Sequence, residues 1–318
     1  MSKQFKQVTT IATLQIPAQT QQRLWEAGLI LITALWGWSF VAIHDALAEL
    51  SDSAFNAYRF LVAAALMLVV VVIGRTKISK ADLTHGGVAG LALFLAFLFQ
   101  TKGLKFTSAS NAAFITGLAV IFTPFILFIW FKVKPEKRQI VGTVVATIGL
   151  ALLTLRGLNI KPGDALVLMC AASFALHIIL LSKASKVGNI VNLAFIQISV
   201  VGLLSLLQSI AFQELSVPNS QATISAILII GIFGTAIGFY VQTKAQVASS
   251  PNRIALIIVL EPLFGGLFGY FLAGDRLTPL NFVGAALIVA GILVAELRFS
   301  KSKAVSSGSE NIFARPPE

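Results

Sequence analysis

Few residues in this chain can do chemistry, and most of them stand inside long apolar runs. Glu261 is the only carboxylate well within such a run, and Pro262 follows it. It lies about eight residues into the run, roughly 12 Å deep at helical rise. A central acid costs ~2.5–3.5 kcal/mol on insertion measurements, so it has to face the interior of a helix bundle. There it can exchange a proton or accept a cationic group. As a protonated acid it can equally hydrogen-bond the carbonyl that Pro262 frees. Arg59 stands one to two turns inside a second run. It can attract an anionic group, form part of a gate, or reach back to the lipid headgroups. His177 lies deep in a third run, where imidazole is a proton relay, a ligand contact, or a partner for a neighbouring helix. His44, beside Asp45 near a run's end, has the pattern of an interfacial pair. Trp36 and Ser39 share a helical face with Phe40, and a buried indole N–H needs an acceptor. Trp38, on another face, reads as lipid-facing. Gln100, Asn111, Gln197, Tyr240 and Gln242 add neutral hydrogen-bonding groups. Such bonds between membrane helices contribute only ~0.6–2 kcal/mol each, so part of this set packs rather than binds.

Other chemistries lack their residues. Three histidines, His44, His85 and His177, form no His-Glu-x-x-His pattern, and no pair of intramembrane aspartates exists. No phosphate-cradling Gly-Lys-Ser/Thr loop is present. A single cysteine, Cys170, can build neither a disulfide nor a metal–sulfur site, and reads as a small packing residue. The expectation is a protein that is no enzyme and holds no metal or cofactor.

The candidate residues have to be positioned by the apolar runs themselves. Ten of them are readable, at about 27–47, 54–73, 84–104, 109–131, 139–155, 164–183, 190–212, 222–244, 253–273 and 279–297. A hydrocarbon core of roughly 30 Å takes ~20 apolar residues as a helix. Mean hydropathy of +0.87, 57% hydrophobic residues and 12% charged residues place the chain among membrane proteins. Continuous runs such as Leu66 to Ile73 do not alternate as barrel strands must, so the runs are helices. The tails, 1–24 and 299–318, are polar and read as disordered. Trp25 and Trp130 fall where interfacial anchors belong. Pro124 and Pro262 mark expected helix kinks. Gly86/Gly90, Gly234/Gly238 and Gly265/Gly269 allow close helix approach, within the bundle or across a homodimer.

A net charge of +11 invites a nucleic-acid partner, but the positions of the charges answer differently. With ten crossings and the N-terminus on one side, 18 of the 24 Lys and Arg residues fall on that side. This is the positive-inside bias. Both termini are expected in the cytoplasm, in a plasma (inner) membrane, with lipid and no nucleic acid as partner.

The chain also repeats itself. Gln100-Thr101-Lys102 recurs as Gln242-Thr243-Lys244. A Ser/Ala-rich turn follows each, then a run with one proline, Pro124 or Pro262. The last runs carry Gly142 and Gly149, then Gly284 and Gly291. The halves, 25–156 and 157–298, therefore hold five runs each. An odd number turns the second copy upside down in the membrane, which predicts an all-α polytopic fold of two inverted five-helix repeats. Inverted repeats recur in secondary transporters, with the substrate between them near the midplane.

Trp36-Gly37-Trp38-Ser39-Phe40, Tyr58-Arg59-Phe60 and Thr107-Ser108-Ala109-Ser110-Asn111-Ala112-Ala113 leading to Pro124 stand in order along the chain. Gly163-Asp164 and Leu260-Glu261-Pro262 follow. In this order they resemble the drug/metabolite transporter superfamily, in its EamA-type ten-helix branch, over nearly all of 27–297. The counterpart of the Trp36 region reads Ser173-Phe174-Ala175-Leu176-His177, where many relatives carry Trp and Tyr. The resemblance implies a proton- or gradient-coupled exporter or exchanger of a small polar metabolite, such as an amino acid or a drug-like compound. A passive facilitator of the same fold, and a membrane interaction subunit without cargo, are the alternatives.

Overall fold

The computed structural model describes residues 17–107, 109–154, 161–272 and 278–296. The readings of 1–16 and 299–318 as disordered tail lie outside these residues. Among the described residues all regular structure is helical. The elements are α1 (Ala18–Ala46), α2 (Asp52–Ile73), α3 (Lys80–Leu104), α4 (Ala109–Gly117), α5 (Ala119–Phe131) and α6 (Lys137–Thr154). Then come α7 (Pro162–Ala184), α8 (Ile190–Ala211), α9 (Gln221–Ile229), a π-helical segment (Ile230–Ile237) and α10 (Gly238–Ala248). The last are α11 (Pro251–Ile258), α12 (Glu261–Leu272) and α13 (Pro279–Glu296). Among the described residues seven helices are long and apolar enough to cross a bilayer by length and composition; α13 is shorter. The fold is ten transmembrane crossings in two inverted five-helix repeats.

Three crossings are built from pieces. The fourth is α4 and α5, divided at Leu118; the eighth is α9, the π segment and α10; the ninth is α11 and α12, divided at Val259–Leu260. Pro262 lies just beyond the break in the ninth crossing, whereas Pro124 lies inside α5, six residues past Leu118. Proline has no N–H, so the carbonyl four residues back loses its helical partner and the preceding turn tightens. The first crossing starts earlier than its apolar run. Residues 18–24, read from composition as tail, form the opening turns of α1. Serine side chains cap α2, α3, α9 and α11, and Asn189 caps α8.

Hydrogen bonds stitch each end of the bundle separately. At the end where α1 starts, here called proximal, Asp82 accepts from the Asn189 backbone N–H at 2.8 Å and from Asn192 Nδ2 at 3.0 Å. At the distal end Glu49 accepts from Ser220 Oγ and Thr223 Oγ1, both at 2.6 Å, and from the Asn219 N–H. Ser53 donates to Glu214 at 2.6 Å, and Lys105 pairs with Asp52 at 3.0 Å.

The packing obeys the repeat. If the first five crossings map onto the last five, α3 against α7 has its counterpart in α1 against α10. In the same way, α3 against α8 answers to α2 against the π segment, and α5 against α7 to α1 against α11 and α12. The pairs α6–α13 and α2–α8 map onto themselves. At α6–α13 the repeated glycines meet crosswise. A methyl on Gly142 would fall 2.5 Å from the Gly291 carbonyl oxygen, and one on Gly149 2.6 Å from that of Gly284. The two helices run antiparallel with backbones touching, as a two-fold axis between them requires. Gly86 and Gly90 likewise face Ile196 and Gln197 of α8, and Gly234 and Gly238 face Trp36, so these stripes pack within the bundle.

Candidate functional site between the repeats

A cavity lies where the two halves meet. Its wall includes Trp36, Ser39 and Phe40 from α1, Arg59 from α2, and Phe97, Gln100 and Thr101 from α3. Thr116 and Ala119 add the fourth crossing, Phe174 α7, Phe239 and Gln242 α10, and Glu261 the first residue of α12. Every crossing that breaks its α-helix contributes. The enclosed volume is about 50 Å³, room for a few waters at ~10–15 Å³ each on this measure.

Arg59 does not reach for the headgroups. Only 2% of it is exposed, and its Nε donates to Thr235 Oγ1 at 2.8 Å. The guanidinium lies over Phe97, 4.7 Å from the ring centroid, and 5.1 Å from that of Phe60. Desolvated cation–π contacts of this kind contribute ~2 kcal/mol. Glu261 is 8% exposed and faces the same space from the opposite repeat. Among the described residues the two form no direct ion pair, and Glu261 takes no hydrogen bond from the turn that Pro262 opens. A buried cation and a buried carboxyl group thus share one chamber without neutralising each other by contact.

The π segment explains how two of these groups are held. A π-helix leaves carbonyls out of the α ladder and is frequent at functional sites. Here Trp36 Nε1 donates to the Gly234 carbonyl at 2.7 Å. Thr235 Oγ1 donates to Ile230 O at 2.9 Å, which leaves its lone pair for Arg59. Gln100 Nε2 donates to Thr116 Oγ1 at 3.3 Å, and Thr116 touches the buried Cys170 sulfur at 3.9 Å. Gln100 and its repeat-equivalent Gln242 line the same cavity.

Other candidates stand elsewhere. His177 is wholly buried behind Phe239, with ring centroids 5.9 Å apart. Its Nε2 lies 2.7 Å from Gln197 Oε1, so Nε2 donates; Gln197 Nε2 then donates to Thr243 Oγ1 at 3.1 Å. This chain joins α7, α8 and α10 beside the cavity. Tyr240 packs edge-on against Trp25, centroids 5.9 Å apart, toward the proximal end. Trp25 is therefore half-buried in a ring pair, while Trp130 is 63% exposed. Asn111 belongs to α4, but its side chain lies outside the described ones. His44 and Asp45 are 3.8 Å apart at the exposed distal end of α1. Thr235, Phe97, Thr101 and Thr116 escaped the sequence reading. A threonine inside an apolar run gives no signal until packing shows what faces it.

The EamA-like transporter family matches the chain twice, over residues 23–155 and 161–297. A protein of Archaeoglobus fulgidus named an uncharacterized transporter is 32% identical, covering 88% of this chain and 89% of its own length. A Salmonella typhimurium protein named a probable amino-acid metabolite efflux pump is 25% identical over 83% of this chain and 92% of its own. A solved crystal structure aligns with TM-score 0.70 at 19% identity, covering 86% of this chain and 97% of its own, which is a likeness of fold.

Proposed function

The chain belongs to the EamA-like transporter family, and from that premise we propose that it is a secondary transporter, an exporter or exchanger, of a small polar metabolite. The two repeats rock about the cavity and expose it to each face in turn. The proposed cargo is a zwitterion of amino-acid type or a similar drug-like compound, and a proton is the proposed second partner. One observation carries this reading. Arg59 from the first repeat and Glu261 from the second are both buried in one chamber whose remaining wall mixes aromatic, aliphatic, hydroxyl and amide side chains. An anionic group has Arg59 to meet, a cationic group has Glu261, and apolar atoms have Phe97, Phe174 and Phe239. The chamber must widen to admit such a solute, which favours a moving pair of repeats over a fixed pore. The efflux-pump name of the Salmonella relative supports the cargo class.

The basic proximal end supports a cytoplasmic N-terminus, and the family match supports transport rather than catalysis. Reconstituted vesicles test the reading with a panel of labelled amino acids and related amines and acids. Accumulation against a concentration gradient, driven by an imposed pH difference, is the expected outcome. Flux that only equilibrates points to a facilitator, and no flux across the panel points to an interaction subunit.

A further inference from the structure

The repeat extends to the polar contacts that close the two ends. Ser249 follows α10 as Thr107 follows α3, 142 residues apart, the offset of the Gln-Thr-Lys triplets. Glu26 and Asp164 stand 138 apart, the offset of the two prolines and of Trp36 to Phe174. In the structure these four residues form two matching hydrogen bonds. Ser249 Oγ donates to Glu26 Oε1 at 2.5 Å at the proximal end, and Thr107 Oγ1 donates to Asp164 Oδ1 at 2.5 Å at the distal end. Each ties the turn after one crossing to the helix that starts the other repeat.

The ends then differ. At the proximal end Arg253 pairs with the same carboxylate: Nη2 donates to Oε2 at 2.8 Å, and Nε lies 2.8 Å from Oε1. Gln22 adds a third donor at 2.9 Å, from the turn by which α1 outreaches its counterpart α7. Glu26 is almost wholly buried. A hydrogen bond between ionised partners is roughly twice as strong as a neutral one. Among the described residues Asp164 meets no cation, and the position 142 residues before Arg253 is Asn111, which has no charge.

The cavity follows that asymmetry. Toward the distal end it reaches Leu104, the last residue of α3, and Ile43, three residues before α1 ends. Toward the proximal end it stops at Gln242, six residues before the end of α10, and Ile258, seven residues after the start of α11. Below them Leu29, Ile32, Ala245, Ile254 and Ala255 form a solid apolar plug. The ion pair sits beneath that plug and joins α1 to α11.

We propose that Glu26, Arg253 and Ser249 form a latch that holds the proximal end shut, with Asp164 and Thr107 its weaker twin at the distal end. The ion pair then biases the resting transporter toward distal opening. This rests on the alternating-access reading. In alternating access one latch must open as the other closes, so weakening either shifts the balance toward its own end.

The test is cysteine accessibility in a Cys170→Ala background, on full-length protein in nanodiscs where a small water-soluble maleimide reaches both faces. Ala255→Cys reports on the proximal plug and Ile43→Cys on the distal end of the cavity. Arg253→Ala or Glu26→Gln raises labelling at the first about tenfold and lowers it at the second. Thr107→Val moves both rates the opposite way. The charge-reversed pair, Glu26→Arg with Arg253→Glu, returns both toward the parent. Equal rates in the parent and both single variants overturn the latch, as does a change that the reversed pair leaves in place. Transport with unmoved labelling removes the latch and leaves alternating access standing. Shifted labelling without transport of any solute removes the transport reading and leaves the latch.

Discussion

Arg59 and Glu261 are the two side chains on which the proposed function turns, and each has a separate expected signature. Glu261→Gln keeps the shape and the hydrogen-bonding capacity but can no longer lose a proton. Uptake driven by a pH gradient should fall about tenfold or more, with the thermal midpoint in detergent unchanged. PH-driven uptake equal to the parent's would discard the coupling role. Arg59 is held by Thr235, and a hydrogen bond to a charged group contributes ~1.5–3 kcal/mol. Thr235→Val should therefore raise the transport KM about tenfold and leave the maximal rate within about twofold, because the guanidinium remains but loses its anchor. An unchanged KM would show that Arg59 needs no such anchor. Glu49 plays no part in the cavity. Four donors from Asn219, Ser220 and Thr223 hold its carboxyl down at about 2. A depressed carboxylate stabilises the fold above its unfolded value, 4.5, and loses that contribution as pH falls toward about 2. The difference in thermal midpoint between the parent and Glu49→Gln should stay constant from pH 8 down to about 5 and shrink below that. A difference that disappears near neutrality would contradict the assignment.

The broken helices are where the elements serve the site. Continuous α-helices would bury their carbonyls in their own ladders and present only side chains. The π segment instead offers the Gly234 carbonyl to Trp36, and the break before Pro262 puts Glu261 at the head of a new helix. By contrast, α6 and α13 are unbroken and act as a rail. Their glycine contacts leave no room for a side chain, since a Cβ at Gly142 or Gly291 would meet the facing helix at 2.5–2.6 Å. Gly142→Leu should lower the thermal midpoint in detergent strongly, because overpacking costs ~1–3 kcal/mol even where backbones can shift. The neighbouring exposed Val144→Leu should leave it unchanged. Equal midpoints for the two variants would mean the rail is not tightly packed.

For the molecule as a whole, symmetry and charge asymmetry do different work. The repeat makes the two ends alike in build; on the proposed reading they exchange roles, and the uneven Lys and Arg distribution sets which end is expected to face the cytoplasm. Cysteines placed in either tail should therefore react only from the cytoplasmic face. Labelling of a tail by an impermeant reagent on intact cells would reverse the orientation. Crossing number, repeat and fold class were legible in the chain because a bilayer forces every span to be a long apolar run, even where its helix is broken. The glycine matches mark close backbone approach, and the Gln-Thr-Lys matches put Gln100 and Gln242 on the cavity wall. The site was only partly legible. Gln100, Gln242, Trp36 and Ser39 stand out as polar residues in apolar runs, yet no pattern says which of them share a chamber. Arg59 reads equally well as a snorkelling residue, and only its packing under Phe97 and against Thr235 places it inside. The π segment is invisible in the letters Ile230 to Ile237, because a one-residue change of helical register leaves hydrophobicity untouched. Which side chains meet depends on how ten helices cross, and that is a property of their contacts rather than of any single run.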